Sequence, residues 1–260
     1  MITRDAKNIL VADDSEFFRV KLEYILNEAG HTTEVVDSGR QIIELLKRRG
    51  DAFDLVMADL HMPEISGYDV LEWMKEKAPV FAVPVIAVTE EYEPGNEGKG
   101  SLLDEMKNHG AAGLITKVQS PNEIVHIVNS LLFHDKGKRK DIRAPLSLPV
   151  ECAAADFSTT INLLNLSESG LFLQLSRKIE TGTALDLRLS LPGSETPISL
   201  RGEVRWHTPC NGKEHFFSGA GVDFENISAD DRKCLKSYVE ERLQQLGCEE
   251  HSPVRVVFSA

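Results

Sequence analysis

The hydrophobic pattern of this chain changes period once, near residue 133, and that change constrains the fold more than any single residue. Before it, short apolar runs alternate with stretches in which apolar residues recur at helical spacing. The runs Ile9 to Ala12, Leu55 to Ala58, Val83 to Val88 and Gly113 to Thr116 have the length and composition of buried strands. Between them, Phe17, Val20, Leu22, Ile25 and Leu26 fall at roughly helical intervals, as do Ile42, Ile43, Leu45 and Leu46, then Val70, Leu71 and Met74. A last helix is expected from about Asn122 to Phe133, with Ile124, Ile127, Val128, Leu131 and Leu132 on one face. Alternation of this kind implies an α/β domain built on a doubly wound parallel sheet. Pro84 is tolerable at the start of its strand, where no ladder donor is needed.

After Phe133 a polar, basic segment predicts a linker, residues 134–143. The pattern then becomes period two. Strands are expected over residues 146–152, 160–164, 170–175, 184–191, 198–206 and 216–224, and such short strands imply a barrel or sandwich. One helix closes the region from about Ala229 to Leu246, with Asp230 and Asp231 where the helix dipole favours acidic groups. The expected division is 1–133, a linker 134–143, a β domain 144–248 and a tail 249–260. A length of 260 residues suits two domains of ordinary size.

Apolar residues make up 42% and charged residues 27%, which argues against a disordered or membrane-embedded chain. No apolar run approaches the ~20 residues of a membrane span, and no signal-like segment precedes Ile9, so a cytoplasmic location without membrane insertion is expected. Cys152, Cys210, Cys234 and Cys248 are too dispersed to suggest a zinc site or disulfide framework. Residues 1–133 hold 13 Lys and Arg against 23 Asp and Glu, a balance of −10 that makes a poor nucleic-acid surface. Residues 136–143 instead hold five basic residues and one acidic one.

Asp13, Asp14, Asp59, Thr89 and Lys117 each lie at or just past the end of an apolar run. In a parallel sheet those ends share one edge, where ligands bind. Three carboxylates brought together there repel unless a cation sits among them, and an all-oxygen set suits Mg²⁺. A metal-bound Asp beside a Lys and a Thr hydroxyl is suited to accept a phosphoryl group. Residues 11–15, 54–67, 87–89 and 110–117 together resemble the receiver domain of two-component response regulators. The resemblance implies a flavodoxin-like fold, Asp59 as the phosphoacceptor of a sensor histidine kinase, and Thr89 and Lys117 as its catalytic companions. It also implies Mg²⁺ held by Asp13, Asp14, Asp59 and the backbone carbonyl of His61. Many receivers dimerise through the last strand and helix, here ending at Leu131 to Phe133, so a homodimer is an expected partner state. Three positions depart from the family pattern: Glu90 stands where a small residue is usual, Leu114 replaces the switch aromatic, and Val118 replaces the proline after the Lys. Residues 90–101 form a long acidic loop, for which disorder is expected.

Two further motifs lie in the second half. Arg139 and Arg143 form Arg-x-x-x-Arg, and Asn165, Ser167 and Gly170 form Asn-x-Ser-x-x-Gly between two strands. Two guanidiniums suit phosphates and purine edges, Asn and Ser add short polar groups, and Gly permits close backbone approach. The pair resembles the PilZ domain, a six-stranded β-barrel with a C-terminal helix whose family ligand is cyclic di-GMP. By that resemblance Arg139 and Arg143 would clamp phosphates and guanine edges, with Asn165, Ser167 and Gly170 lining the surface beneath.

The expected function is a non-DNA-binding response regulator whose output is contact with a downstream protein. An alternative is a phosphorylation-controlled adaptor that binds no nucleotide. An enzyme is not expected: phosphatases that form an aspartyl-phosphate use Asp-x-Asp on the first strand, whereas Asp13 and Asp14 are adjacent. The expected β strands stand where a transcription factor would carry a basic helix-turn-helix.

Overall fold

In the computed structural model, residues 6–77, 83–90, 102–133, 141–155, 157–175, 179–194, 196–208 and 217–247 are described. The chain divides into two compact units, residues 1–134 with 245–260 and residues 135–244.

The first unit is a parallel sheet of β1 (Asn8–Ala12), β2 (Thr32–Val36), β3 (Leu55–Asp59), β4 (Val85–Thr89) and β5 (Gly113–Thr116), in the order β2-β1-β3-β4-β5. Among the described residues, the α-helices that connect and cover it are α1 (Glu16–Glu28), α2 (Gly39–Arg49), α3 (Gly67–Glu76), α4 (Leu102–Asn108) and α5 (Pro121–Leu132). Every residue of β3 and β4 is buried, which is why both read as uninterrupted apolar runs. Pro84 sits one residue ahead of β4 and contributes only its carbonyl, to Val56 N–H at 3.0 Å. Capping boxes start α3 (Ser66 with Asp69) and α5 (Ser120 with Glu123), satisfying N-terminal amides that would otherwise lack partners.

The phase of α1 and the strand β2 depart from the expected pattern, and α4 is a helix that no periodicity announces. The core face of α1 is Phe18, Leu22, Ile25 and Leu26, whereas Phe17 and Val20 point outward at 79% and 57% exposure. The adjacent aromatics Phe17 and Phe18 lie about 100° apart on the helix, so only one can face the sheet. Strand β2 was not anticipated, because Thr32, Thr33 and Glu34 make it polar; as an edge strand it needs no continuous apolar run.

The second unit is a closed barrel of β6 (Ala144–Ala154), β7 (Phe157–Leu166), β8 (Gly170–Gln174), β9 (Ala184–Leu189), β10 (Ile198–His207) and β11 (Gly219–Glu225), ordered β10-β11-β8-β7-β6-β9. In β9 Leu185, Leu187 and Leu189 are buried and the residues between them exposed, the period-two pattern of a barrel wall. Helix α6 (Ala229–Gln245) follows, burying Leu235, Val239 and Leu243 at four-residue spacing.

Candidate functional site

The ends of β1, β3, β4 and β5 meet at one edge of the parallel sheet, and the topology alone brings their polar residues together. Asp13, Asp59 and Thr89 are buried there and Asp14 is exposed. One carboxylate oxygen from each of Asp13, Asp14 and Asp59 lies within 4.8 Å of the others. The Lys117 ammonium is 2.8 Å from Asp59 Oδ2 and 2.9 Å from Asp13 Oδ2. Backbone amides orient the other oxygens: Ser15 N–H donates to Asp13 Oδ1 at 2.9 Å, and His61 N–H to Asp59 Oδ1 at 3.2 Å. Lys117 N–H donates to the Thr89 carbonyl at 2.8 Å, tying the end of β5 to that of β4.

Burial pushes the Asp13 carboxyl above its ordinary value, opposed by the Lys117 and Ser15 hydrogen bonds, while the Asp59 charge adds to the rise. Burial also works against the Lys117 ammonium, but its hydrogen bonds to Asp59 and Asp13, and their charges, outweigh this and raise its pKa. One ammonium against three carboxylates leaves an excess of negative charge. That excess, together with the raised Asp13, fits a hard divalent cation on an all-oxygen donor set.

The three departures have definite positions. The Glu90 side chain is largely exposed, yet its carboxylate lies 3.6 Å from the Lys117 ammonium. Leu114 is half-buried against the core cluster beneath β4 and α4. Val118 is 67% exposed, and among the described residues no peptide bond is cis. Most of the acidic loop, residues 91–101, lies outside the described residues.

On the barrel, the pairings Ala144 with Leu166 and Pro145 with Asn165 bring the stretch after Arg143 alongside the loop that follows β7. Arg143 is half-buried; Arg139 lies outside the described residues. Asn165 Oδ1 is buried with no hydrogen-bond partner. Ser167 is fully buried and its hydroxyl serves the loop itself, donating to the Gly170 carbonyl at 3.1 Å and accepting from Gly170 N–H at 3.2 Å. A Cβ on Gly170 would sit 2.4 Å from the Val222 carbonyl oxygen, so glycine is required by close approach of β8 to β11.

Further contributors carry no signal in the motif spacings. Ser169 donates a hydrogen bond from its hydroxyl to the Asp141 carboxylate, which joins the two motifs. Trp206, 46% exposed, stacks on Phe172 with ring centres 5.2 Å apart. Cross-strand pairing places Asn165, Phe172, Gly221 and Trp206 in one row across four strands. A Cβ on Gly221 would meet Trp206 Nε1 at 2.3 Å, so the indole lies flat over that glycine. The motif spacings carry no sign of this row, because register joins residues remote in sequence.

Residues 9–129 match the response regulator receiver domain family, and residues 137–241 match the PilZ domain family. The chain is a receiver domain followed by a PilZ domain. Among curated proteins, a probable transcriptional regulator of Pyropia yezoensis, ycf29, is 27% identical over 53% of this chain and 58% of its own length. Two-component response regulator ORR5 of Oryza sativa is 25% identical over 49% of this chain and 90% of its own. The match thus spans less than two thirds of the ycf29 protein. Among solved structures, the signal receiver domain of a histidine kinase from Syntrophus aciditrophicus is 30% identical, covering 52% of this chain and 96% of that one, with a TM-score of 0.43. Receiver domains bind Mg²⁺ at an acidic pocket of this kind and act in two-component systems, with a histidine kinase as partner. PilZ domains bind cyclic di-GMP at the family level. Among the described residues no helix is long and apolar enough to cross a membrane.

Proposed function

We propose that this protein is a cytoplasmic, non-catalytic response regulator with two inputs: phosphorylation of Asp59 by a sensor histidine kinase, and cyclic di-GMP on the PilZ half. Its output is contact with a downstream protein. The observation that carries the first input is the Lys117 ammonium bridging Asp59 and Asp13 beside a third carboxylate. An Asp59 oxygen attacks the phosphorus of a phosphohistidine, the P–N bond breaks with its electron pair going to nitrogen, and the imidazole leaves as the neutral ring because its other nitrogen already carries a proton. Lys117 and the Thr89 hydroxyl then hold the new phosphoryl oxygens. Asp13, Asp14, Asp59 and the His61 carbonyl would hold Mg²⁺, which supplies positive charge to the transferring group.

Partner choice draws support from α1. Phe17, Val20 and Tyr24 are exposed at i, i+3 and i+7, an apolar face next to the pocket, with exposed Val118 nearby in sequence to Lys117. A helical kinase surface would cover that face while presenting its phosphohistidine to Asp59. Dimerisation of the receiver through β5 and α5 is part of the same proposal.

For the nucleotide, Arg139 and Arg143 grip phosphates and guanine edges, Asn165 Oδ1 accepts from a base, and Trp206 offers a stacking face. Gly170 keeps the loop against β11, and Ser167 shapes it. The second reading, an adaptor that binds no nucleotide, draws on the fact that the Ser167 hydroxyl is engaged within its own loop.

Acetyl phosphate with Mg²⁺ tests the first input: the wild type takes label and Asp59→Asn takes none. Label persisting on Asp59→Asn removes the assignment. Calorimetric titration with cyclic di-GMP tests the second, and no binding at micromolar levels leaves the adaptor.

A further inference from the structure

Lys117 reaches the acidic pocket, and part of its own support comes from α1. The Lys21 ammonium donates to the Lys117 carbonyl oxygen at 3.2 Å. The same ammonium lies 4.9 Å from the centre of the Phe18 ring, and the Lys117 ammonium lies 5.0 Å from it. One buried ring, 4% exposed, therefore serves two cations. An aromatic face attracts ammonium groups more strongly where water is excluded. It does not remove the repulsion between them, so a neutral side chain at position 21 would fill the space at less electrostatic cost. Among the described residues the partners of Lys21, a carbonyl and a ring, carry no charge, and burial pushes its pKa down as expected for an ammonium so placed.

A phosphoryl group on Asp59 changes that balance, because it brings about two negative charges into the pocket. The Lys117 ammonium faces that anion directly, and the Lys21 ammonium on the same ring adds a second positive charge behind it. The contacts also fix the turn after β5: Thr89 holds the Lys117 N–H, Lys21 holds its carbonyl, and Gln119 N–H closes on Thr116 O at 3.0 Å. Exposed Val118 adds no packing there.

We propose that Lys21 is a positioning residue for phosphoryl transfer at Asp59, fixing the backbone of Lys117 and, through the Phe18 ring they share, placing a second positive charge behind its ammonium. This rests on the phosphoacceptor reading of Asp59.

The experiment measures the rate of labelling of the full chain by acetyl phosphate and, separately, Mg²⁺ affinity. Lys21→Met keeps the stem and removes the charge; it slows labelling about 5- to 10-fold, the size of one ordinary hydrogen bond, because Lys21 acts only through Lys117. Mg²⁺ affinity is unchanged, because Lys21 touches none of the carboxylates. Lys21→Arg restores most of the rate, and Phe18→Leu, which keeps an apolar core residue, slows labelling as Lys21→Met does. Wild-type labelling by Lys21→Met overturns the inference alone. A parallel loss of Mg²⁺ affinity also overturns it, since the substitution would then have deformed the carboxylates. A wild type that takes no label overturns the phosphoacceptor reading and the inference with it.

Discussion

The Ser169 hydroxyl donates to the Asp141 carboxylate, so the residue before the glycine of the Asn-x-Ser-x-x-Gly loop is bonded to the middle residue of Arg-x-x-x-Arg. The Ser169 carbonyl in turn accepts from Phe224 N–H at 2.8 Å, which ties the same loop to β11. The arginine segment is thereby anchored to the barrel at a point two residues before Arg143. Holding a binding group in place before the ligand arrives lowers the entropy lost on binding. Asp141→Ala and Ser169→Ala should each weaken cyclic di-GMP binding about 5-fold, and the double variant should be no weaker than either alone. Calorimetric titration of the three variants measures this; additive losses would mean that the pair does not act as a unit.

The exposed face of α1 makes a separable prediction. Phe17→Asp and Val20→Asp place charge on a surface outside the core, so thermal stability and labelling by acetyl phosphate should stay near wild type. Phosphotransfer from the cognate histidine kinase should fall about 5- to 30-fold, as for loss of an apolar anchor at an interface. Equal transfer to wild type and variants would place the kinase elsewhere.

His31 gives the receiver a pH dependence of stability. It is buried between α1 and β2, with Nε2 3.1 Å from Asn129 Oδ1 and its ring stacked on Phe133. Burial holds its pKa below the ordinary value of 6.5, partly offset by Asn129 and the charge of Asp54, with Lys7 acting in the same direction as burial. Between the lowered folded value and 6.5 the unfolded chain binds more protons, so stability falls as the pH drops below 6.5. Urea unfolding at pH 7.5 and pH 5.5 should show that loss in wild type, and His31→Gln should show less of it. An unchanged difference would assign the dependence to other groups.

How much of this was legible in the sequence follows from where each residue's constraint arises. Leu55 to Ala58 and Val85 to Val88 are buried on both faces, so their apolar runs announce strands, and the acidic pocket follows from the strand ends. β2 is an edge strand and carries no such run. The phase of α1 could not be read because Phe17 and Phe18 are chemically alike, and only the position of the sheet decides between them. α4 has seven residues and one buried side chain, too short for a periodic signal. Asn165, Ser167 and Gly170 were visible as a motif, but the separate tasks of the three depend on register and on hydrogen bonds inside the loop. Trp206 joins Asn165 only through the pairing of β7, β8, β11 and β10, which no spacing encodes.

Ser167 and Arg143 should respond in opposite ways, and the contrast tests how the loop works. The Ser167 hydroxyl is fully buried and makes its hydrogen bonds within residues 167–170. Removing it leaves the buried Gly170 N–H and the part-buried Ser169 N–H short of a partner, at a cost of about 1–3 kcal/mol in stability. Ser167→Ala should therefore lower the thermal midpoint of the barrel, and weaken binding only as far as the loop loses its shape. Arg143 is half-buried just before β6, where a guanidinium can fork onto a phosphate or a guanine edge. Arg143→Ala should leave the thermal midpoint nearly unchanged and weaken cyclic di-GMP binding about 10- to 150-fold. Arg143→Lys should recover little of it, since an ammonium keeps the charge without the planar fork. Thermal unfolding and calorimetry on the three variants separate these outcomes. Full binding by Arg143→Lys would reduce the site to a nonspecific basic patch, and a normal thermal midpoint in Ser167→Ala would return its hydroxyl to the ligand.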